Sequence, residues 1–442
     1  MSMVIKHNID ALRITNLLDQ NSNMLQKDLT KVATGMKINT AQDDSAPWSI
    51  SERMRMRIRA LEQDNQNIQN DAALMKTAEG AVSNTIEILK TLKERAINAA
   101  NDSNTDEDRS TIQKEIDQFI DQIDDNALVQ FNGKYLIDGT KNNTVSATKT
   151  ILLNQSLATD TVVSDTALTA LKNRVDESLG IQSTDYIQAS IVFNGNVTLY
   201  SESVGDKKLS DILEALTTLA GDDYGVETAE IDATGKVGDL KNKFDMDAYT
   251  PDKEMGITVV SQFEGVTRQI TGFTLSILDA QGNVKKAANA SLNNFRLMQR
   301  AENQTGDKAL TFHTGPEANV AIKVGLGDMR AESLGLKGTE NNKISVMTKE
   351  AANSSINVID NSLTMALNQQ INIGSVLSRL DYTSANVTTS HDNDQSSESV
   401  IRDADMAKEI TNYTKSNVLL QTAQAMLAQA NQNSSAVLAM LR

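Results

Sequence analysis

Apolar residues recur at helical spacing at both ends of this chain and along a long stretch just inside the first end. Near the N-terminus Leu18, Leu25, Leu29, Val32 and Met36 climb in steps of seven, four and three. Near the C-terminus Met406, Ile410, Leu420, Leu427, Leu438 and Leu441 recur on the same kind of frame. This is coiled-coil patterning, which needs partner helices. Domain ends are usually frayed and polar, so apolar seams at both termini predict that residues 1–42 and 403–442 pack against each other and against something more.

From about residue 51 to residue 100, steps of four and three give a seam through Ile58, Leu61, Ile68, Met75, Val82, Ile86 and Leu89, broken only by Asn65, Glu79 and Lys93. A helix of that span is about 75 Å long, so it must run along other helices as a rod. A capping box from Asn104 to Glu107 starts a return helix with Ile112, Ile116, Phe119 and Ile123 on one face, which should pack antiparallel to the first. Asn132 and Gly133 then supply a tight hairpin turn between short strands. From 145 to 305 the pattern turns strand-like, with a second Asn194-Gly195 turn and one helix, KLSDILEALTTL. ALTFHTGPEANVAIKVGLGDM reads as another strand pair, and a helix resumes with Ile356, Leu363, Leu367, Leu377 and Leu380. Pro47 disfavours helix at Ala46, so a break is expected there.

The predicted class is mainly α: a long antiparallel helical rod and coiled coil formed by both termini, short β-hairpins, and an inserted α+β outer domain. The predicted domains are 1–42 with 403–442 (terminal arms), 43–144 with 306–402 (rod and hairpin) and 145–305 (insert).

Composition sharpens this picture. Aromatics are 4% of the chain and Trp48 is the sole tryptophan, which suits thin helical rods rather than thick cores. Of the net charge of -16, residues 1–42 carry five Lys/Arg against three Asp/Glu, and 403–442 carry three against three, so the acid lies entirely between them. Near-neutral arms suit burial, whereas an acidic remainder suits a solvated surface and disfavours nucleic acid, so no nucleic-acid partner is expected. Arg53, Arg55, Arg57 and Arg59 alternate around a helix and form no phosphate-binding stripe.

Chemistry is scarce. There is no cysteine, and the three histidines, His7, His313 and His391, are far apart and outside any H-E-x-x-H helix. Asp392 and Asp394 lack the turn glycine of a calcium loop and read as solvated linker. The expectation is no catalytic residue, no metal, no cofactor, no cleaved signal and no membrane insertion.

Seven ordered segments resemble bacterial flagellin: KINTAQDDSAPWSISERM, TAEGA, INAAN, QFNGKYL, GDMRAESLGL, IRDADMAKE and LLQTAQAMLAQANQNSSAVLAML. The resemblance implies a self-polymerising filament subunit for swimming, located extracellularly in the flagellum. It implies export in the unfolded state by the flagellar type III apparatus, with the flagellar cap, junction proteins and an export chaperone as partners. It also implies that the terminal helices form an inner tube and that the insert projects outward. The alternatives are a hook-filament junction protein, or an adhesin displayed through the insert.

Isolated amphipathic helices gain little until their seam is buried, so the arms are expected to order on assembly. The family also presents a patch to Toll-like receptor 5. Here it maps to Thr91, Lys93, Glu94, Arg95 and Glu115, but Thr91 stands where Arg is usual and Arg95 where Leu is usual. Both changes imply weak recognition.

Overall fold

The computed structural model describes residues 8–157, 166–193, 195–221, 224–232, 234–252, 256–338 and 340–440, with side chains omitted for 433–440. Helices account for about half of the chain. Along the chain they are α1 (Ile9–Thr34), α2 (Ser45–Ala99), α3 (Asp106–Ala127), α4 (Leu209–Ala220), α5 (Lys286–Leu292), α6 (Ala331–Leu334), α7 (Lys349–Arg402) and α8 (Met406–Met440). The strands are β1 (Gln130–Phe131), β2 (Lys134–Tyr135), β3 (Ile151–Asn154), β4 (Tyr186–Phe193), β5 (Asn196–Ser203), β6 (Val226–Glu227), β7 (Lys236–Lys241), β8 (Asp247–Tyr249), β9 (Ile257–Ser261), β10 (Ile270–Leu278), β11 (Arg296–Gln299), β12 (Leu310–His313) and β13 (Ala321–Val324). The chain divides into two compact units: Met1–Ile68 with His313–Val320 and Tyr382–Arg442, and Gln69–Phe312 with Ala321–Asp381.

In the first unit α1 packs on α8. Asn8 caps α1, its Oδ1 accepting from Ala11 N–H at 3.0 Å, and Gly35 ends the helix at φ 71°. The left-handed backbone there suits glycine and donates back to Lys31 O. The expected break between arm and rod falls at residues 35–44. Ala46, expected to be non-helical, lies in the first turn of α2 with Pro47. Proline is tolerated there because first-turn N–H groups have no intrahelical acceptor. The stretch containing Asp392 and Asp394, expected to be linker, is instead helical within α7.

In the second unit the α2 seam is buried at Met75, Val82, Ile86 and Leu89. The α3 capping box is formed by Thr105 and Asp108, one residue beyond the expected Asn104 to Glu107. Ile112, Ile116 and Ile123 are buried as expected, but Ile120 rather than Phe119 fills the remaining position. Arg95 pairs with Glu115, and Arg109 Nε donates to Ala99 O at 3.0 Å. These contacts join residues in opposite order, so α3 runs back antiparallel to α2. Asn132 (φ 49°) and Gly133 (φ 74°) close the β1–β2 hairpin, both positive as a type I′ turn requires. In α7 the buried apolar face is Val358, Ile359, Met365, Ala366, Ile373 and Leu380. The predicted Ile356, Leu363 and Leu377 are half-buried and Leu367 is exposed, so only Leu380 of that set sits on the buried face.

The insert folds around two sheets, β10-β4-β5 and β11-β3-β9-β6. Alternation along β3 divides its side chains between two cores. Leu152 joins one with Phe193, Phe273 and Ile212, and Ile151 and Leu153 join another with Val237 and Val260. The β4–β5 turn has Gly195 at φ 79°, while Asn194 lies outside the described residues. A second insert helix, α5, was not expected. The insert sits against α7: Ser190 Oγ and Ser354 Oγ are 2.6 Å apart, Asn357 Nδ2 donates to Phe273 O, and Asn361 Nδ2 donates to Thr271 O. Gly272 permits this approach, since a Cβ there would lie 2.7 Å from Val358 Cγ2.

Candidate assembly surface

The sequence places function on helix faces, and the first unit shows which faces are used within one chain. On α1 half-buried positions recur at Ala11, Ile14, Leu18, Asn21, Leu25, Asp28 and Val32, in alternating steps of three and four, with Ser22 and Lys31 half-buried beside them. On α8 the corresponding seam runs through Glu409, Tyr413, Ser416, Leu420, Ala423 and Leu427. Ser416 Oγ donates to Asp28 Oδ2 at 2.6 Å, and Asn8 Nδ2 donates to Ala430 O at 3.4 Å. Low numbers on α1 meet high numbers on α8, so the pair is antiparallel. At its end Met36 bridges to Asp403, Lys37 N–H donates to Arg402 O, and Ala404 N–H donates to Gly35 O.

Of the predicted assembly residues, Leu18, Leu25, Val32, Leu420 and Leu427 lie half-buried in this seam, with Met36 at its end. Leu29, Met406 and Ile410 do not; they are exposed, Leu29 and Ile410 at 50%. Leu441 lies outside the described residues, as does the side chain of Leu438. The expected step from Leu25 to Leu29 overlooks Asp28, which fills the seam position through its bond to Ser416. Ala11, Ile14, Tyr413, Ser416 and Ala423 were missed. Extending the three-four alternation toward residue 11 would have found the first two, but small and hydroxylated seam residues carry no hydrophobic signal.

No described residue of α1 is fully buried. Ile9, Leu12, Leu17, Met24 and Leu29 on α1, and Ile410, Val418, Leu419 and Met426 on α8, remain exposed. A two-helix pair has only one shared seam, so side chains off that seam meet water unless other helices cover them.

The rod residues fare differently. Leu61, Ile68, Met75, Val82, Ile86 and Leu89 are buried, and Ile58 is half-buried. In the predicted receptor patch Lys93 pairs with Asp360 at 2.6 Å, Arg95 pairs with Glu115 at 3.0 Å, and Thr91 Oγ1 donates to Glu87 O, leaving Glu94 exposed. His391 Nδ1 lies 3.3 Å from Asp392, His313 ends β12, and His7 is outside the described residues. Among the described residues no group of three potential metal ligands comes together, and no helix is long and apolar enough to cross a membrane.

Paired terminal helices with uncovered apolar faces, joined to long helices bearing a small mixed domain, define a self-associating helical structural protein. The bacterial flagellin N-terminal helical region matches residues 5–142 and the flagellin C-terminal helical region matches residues 356–441. Flagellin of Clostridium tyrobutyricum is 30% identical over 433 residues, 97% of this chain and 99% of that one. Flagellin of Bacillus subtilis strain 168 is 27% identical over 443 residues, covering all of both. The solved structure of FliC from Burkholderia pseudomallei is 17% identical over 70% of this chain and 99% of that one, with a TM-score of 0.26. The chain belongs to the bacterial flagellin family, a family of structural proteins and not enzymes, and is a subunit of the extracellular flagellar filament.

Proposed function

We propose that this chain elongates the filament by inserting its α1–α8 pair among the pairs of neighbouring copies, and that the filament serves swimming. The observation that carries this reading is the set of exposed apolar side chains on both terminal helices, with Leu29 and Ile410 foremost. Burying apolar area at about 25 cal/mol per Å² favours association once several copies share the surface. Residues 1–42 and 403–442 would form the inner layer, 43–144 and 306–402 the surrounding rod layer, and 145–305 the outer one. The subunit would leave the cell unfolded through the flagellar type III apparatus with an export chaperone, then meet the junction proteins and the cap.

Purified chain added to filament fragments tests this directly. Long filaments in negative-stain micrographs, together with slower amide exchange across Ile9–Thr34 and Met406–Met440 than in the monomer, are expected. Persistent monomers or short rings would defeat the proposal. For Toll-like receptor 5 the proposal is weak recognition. The ion pairs of Lys93 with Asp360 and Arg95 with Glu115 support it, because a receptor would have to compete for both cations.

A further inference from the structure

The α1–α8 pair carries an exposed apolar ridge that lies off its seam, formed by Leu17, Met24, Leu419 and Met426. We propose that Met24 and Met426 are a reversible oxidation site through which a peroxide halts addition of the chain to a filament, a role that rests on the assembly reading given above.

Helix geometry puts both methionines on one flank. Leu17 and Met24 stand just before the seam residues Leu18 and Leu25 of α1, and Leu419 and Met426 just before Leu420 and Leu427 of α8. On each helix these seam residues open a step of three, and in an antiparallel pair the positions preceding them fall on the same side of both helices. Asn21 Nδ2 donates to Leu419 O at 3.4 Å, which sets Leu419 level with the gap between Leu17 and Met24. The order along the ridge is therefore Met24, Leu419, Leu17, Met426, alternating between the helices at intervals of about 5 Å. The next equivalent positions hold Asp10 and Lys31 on α1 and Asn412 and Asn433 on α8, so polar residue types bound an apolar island.

Accessibility and chemistry point the same way. Met24 is 45% exposed and Met426 56%, whereas Met75 and Met329 are fully buried. The chain has no cysteine, so its thioethers are the groups most readily oxidised by two electrons. A sulfur lone pair attacks one peroxide oxygen, the O–O bond breaks, and the departing hydroxide takes a proton to leave as water. The sulfur is oxidised to a sulfoxide and the peroxide is reduced. Two thiols of a methionine sulfoxide reductase reverse the step, forming a disulfide and releasing the oxygen as water.

In the monomer the new oxygen is hydrated. Between copies it becomes a desolvated acceptor on a ridge whose other side chains are leucines, which offer no donor, so it opposes burial of that surface. Leucine at positions 24 and 426 would fill the same volume without this sensitivity. Met56, Met246, Met347 and Met406 are also exposed, but none stands on the ridge, so their oxidation is an internal control.

Full-length monomer treated with hydrogen peroxide, cleared of it with catalase and added to filament fragments tests the assignment, with peptide mass spectrometry reading each methionine. Oxidation at Met24 and Met426 should raise the critical concentration for elongation at least about tenfold, as expected for burying two unpartnered acceptors. Methionine sulfoxide reductases A and B with dithiothreitol should restore it. The double variant Met24→Leu with Met426→Leu should elongate like the parent before and after peroxide, although its other exposed methionines are oxidised. Met24→Gln with Met426→Gln should elongate like the oxidised chain without any oxidant. In finished filaments both methionines should oxidise at least about tenfold more slowly than in the monomer, since burial denies access. Parental elongation by the oxidised chain, an equal loss in the leucine variant after peroxide, or equal oxidation rates in monomer and filament would overturn the proposal. Failure of the untreated chain to elongate would instead overturn the assembly reading, and the role of the ridge with it.

Discussion

Arg402 Nη1 and Glu52 Oε1 are 2.7 Å apart, joining the last residue of α7 to the early turns of α2. Arg402 is 5% exposed and its carbonyl accepts from Lys37 N–H at 2.8 Å, so one residue ties three segments of the first unit. The Arg402 hydrogen bond, aided by the charge of Arg55, holds the Glu52 carboxyl below its usual range. Stability from this pair is therefore present above the ordinary Glu value and lost as pH falls through the lowered one. Arg402→Ala should lower the unfolding midpoint of the chain, Glu52→Gln should lower it less, and the double variant should be no worse than Arg402→Ala. Circular-dichroism melts at pH 7 and pH 3 check this, with the difference between wild type and Glu52→Gln smaller at the lower pH.

Asp71 on α2 has the opposite sign. Burial pushes its carboxyl up to about 6, with no cation to offset the cost. Above that pH the folded chain holds a desolvated charge, and stability rises as pH falls from about 6 toward the ordinary Asp value. Asp71→Asn should stabilise the chain at pH 7 by on the order of 1 kcal/mol, after allowing for solvent screening. Denaturant titrations at pH 7 and pH 4.5 should show the gain shrinking at the lower pH.

Leu29 and Ile410 are exposed, so a charge at either should leave the monomer's helix content unchanged. In the filament the same charge would be desolvated. Leu29→Glu and Ile410→Glu are therefore expected to melt like the parent and to fail in seeded elongation, as read by sedimentation and electron microscopy.

Gly133 and Gly195 both occupy positive-φ turns, yet their surroundings differ. A Cβ on Gly133 meets nothing within 4 Å, whereas one on Gly195 would lie 2.4 Å from Asn342 O. Gly133→Ala should cost only the left-handed backbone penalty, about 1 kcal/mol. Gly195→Ala must also displace backbone and should cost about 3 kcal/mol or more. Urea unfolding midpoints of the two variants separate these effects.

Receptor recognition is expected to respond to the two departures in the patch. Thr91→Arg with Arg95→Leu removes the guanidinium bound to Glu115 and adds one at 91. A receptor reporter assay should give at least about tenfold greater potency for the double variant, in line with gaining a contact of hot-spot size. Unchanged potency would remove Thr91 and Arg95 as the cause of weak recognition.

The elements most legible in the sequence were those whose own residues repeat. The α2 seam from Leu61 to Leu89 could be read because burial selects the same face turn after turn. The α7 face was misread because Ser355, Ser362 and Gln369 are buried there, where each finds a hydrogen-bond partner in distant chain. Such pairing is a tertiary property that hydrophobicity along the chain does not encode. The same holds for Asp28 and Ser416 in the terminal seam: each looks like a surface residue until the other is beside it. The cap at Thr105 and Asp108 shows the smaller error, since adjacent Asn, Thr, Asp and Glu offer two capping frames one residue apart.

Val145 bridges to Thr305 and Thr148 to Glu302, so the chain enters and leaves the insert through a single antiparallel doorway. The separation of those two strands is set by their own backbone bonds, whatever length of chain lies between them. Natural variation can therefore lengthen, shorten or rewrite the sequence between them without altering the spacing of the two strands at its base. In the proposed filament, with residues 145–305 outermost, a population can change the face it shows to phage, antibody or substratum while every variant still fits the same polymer.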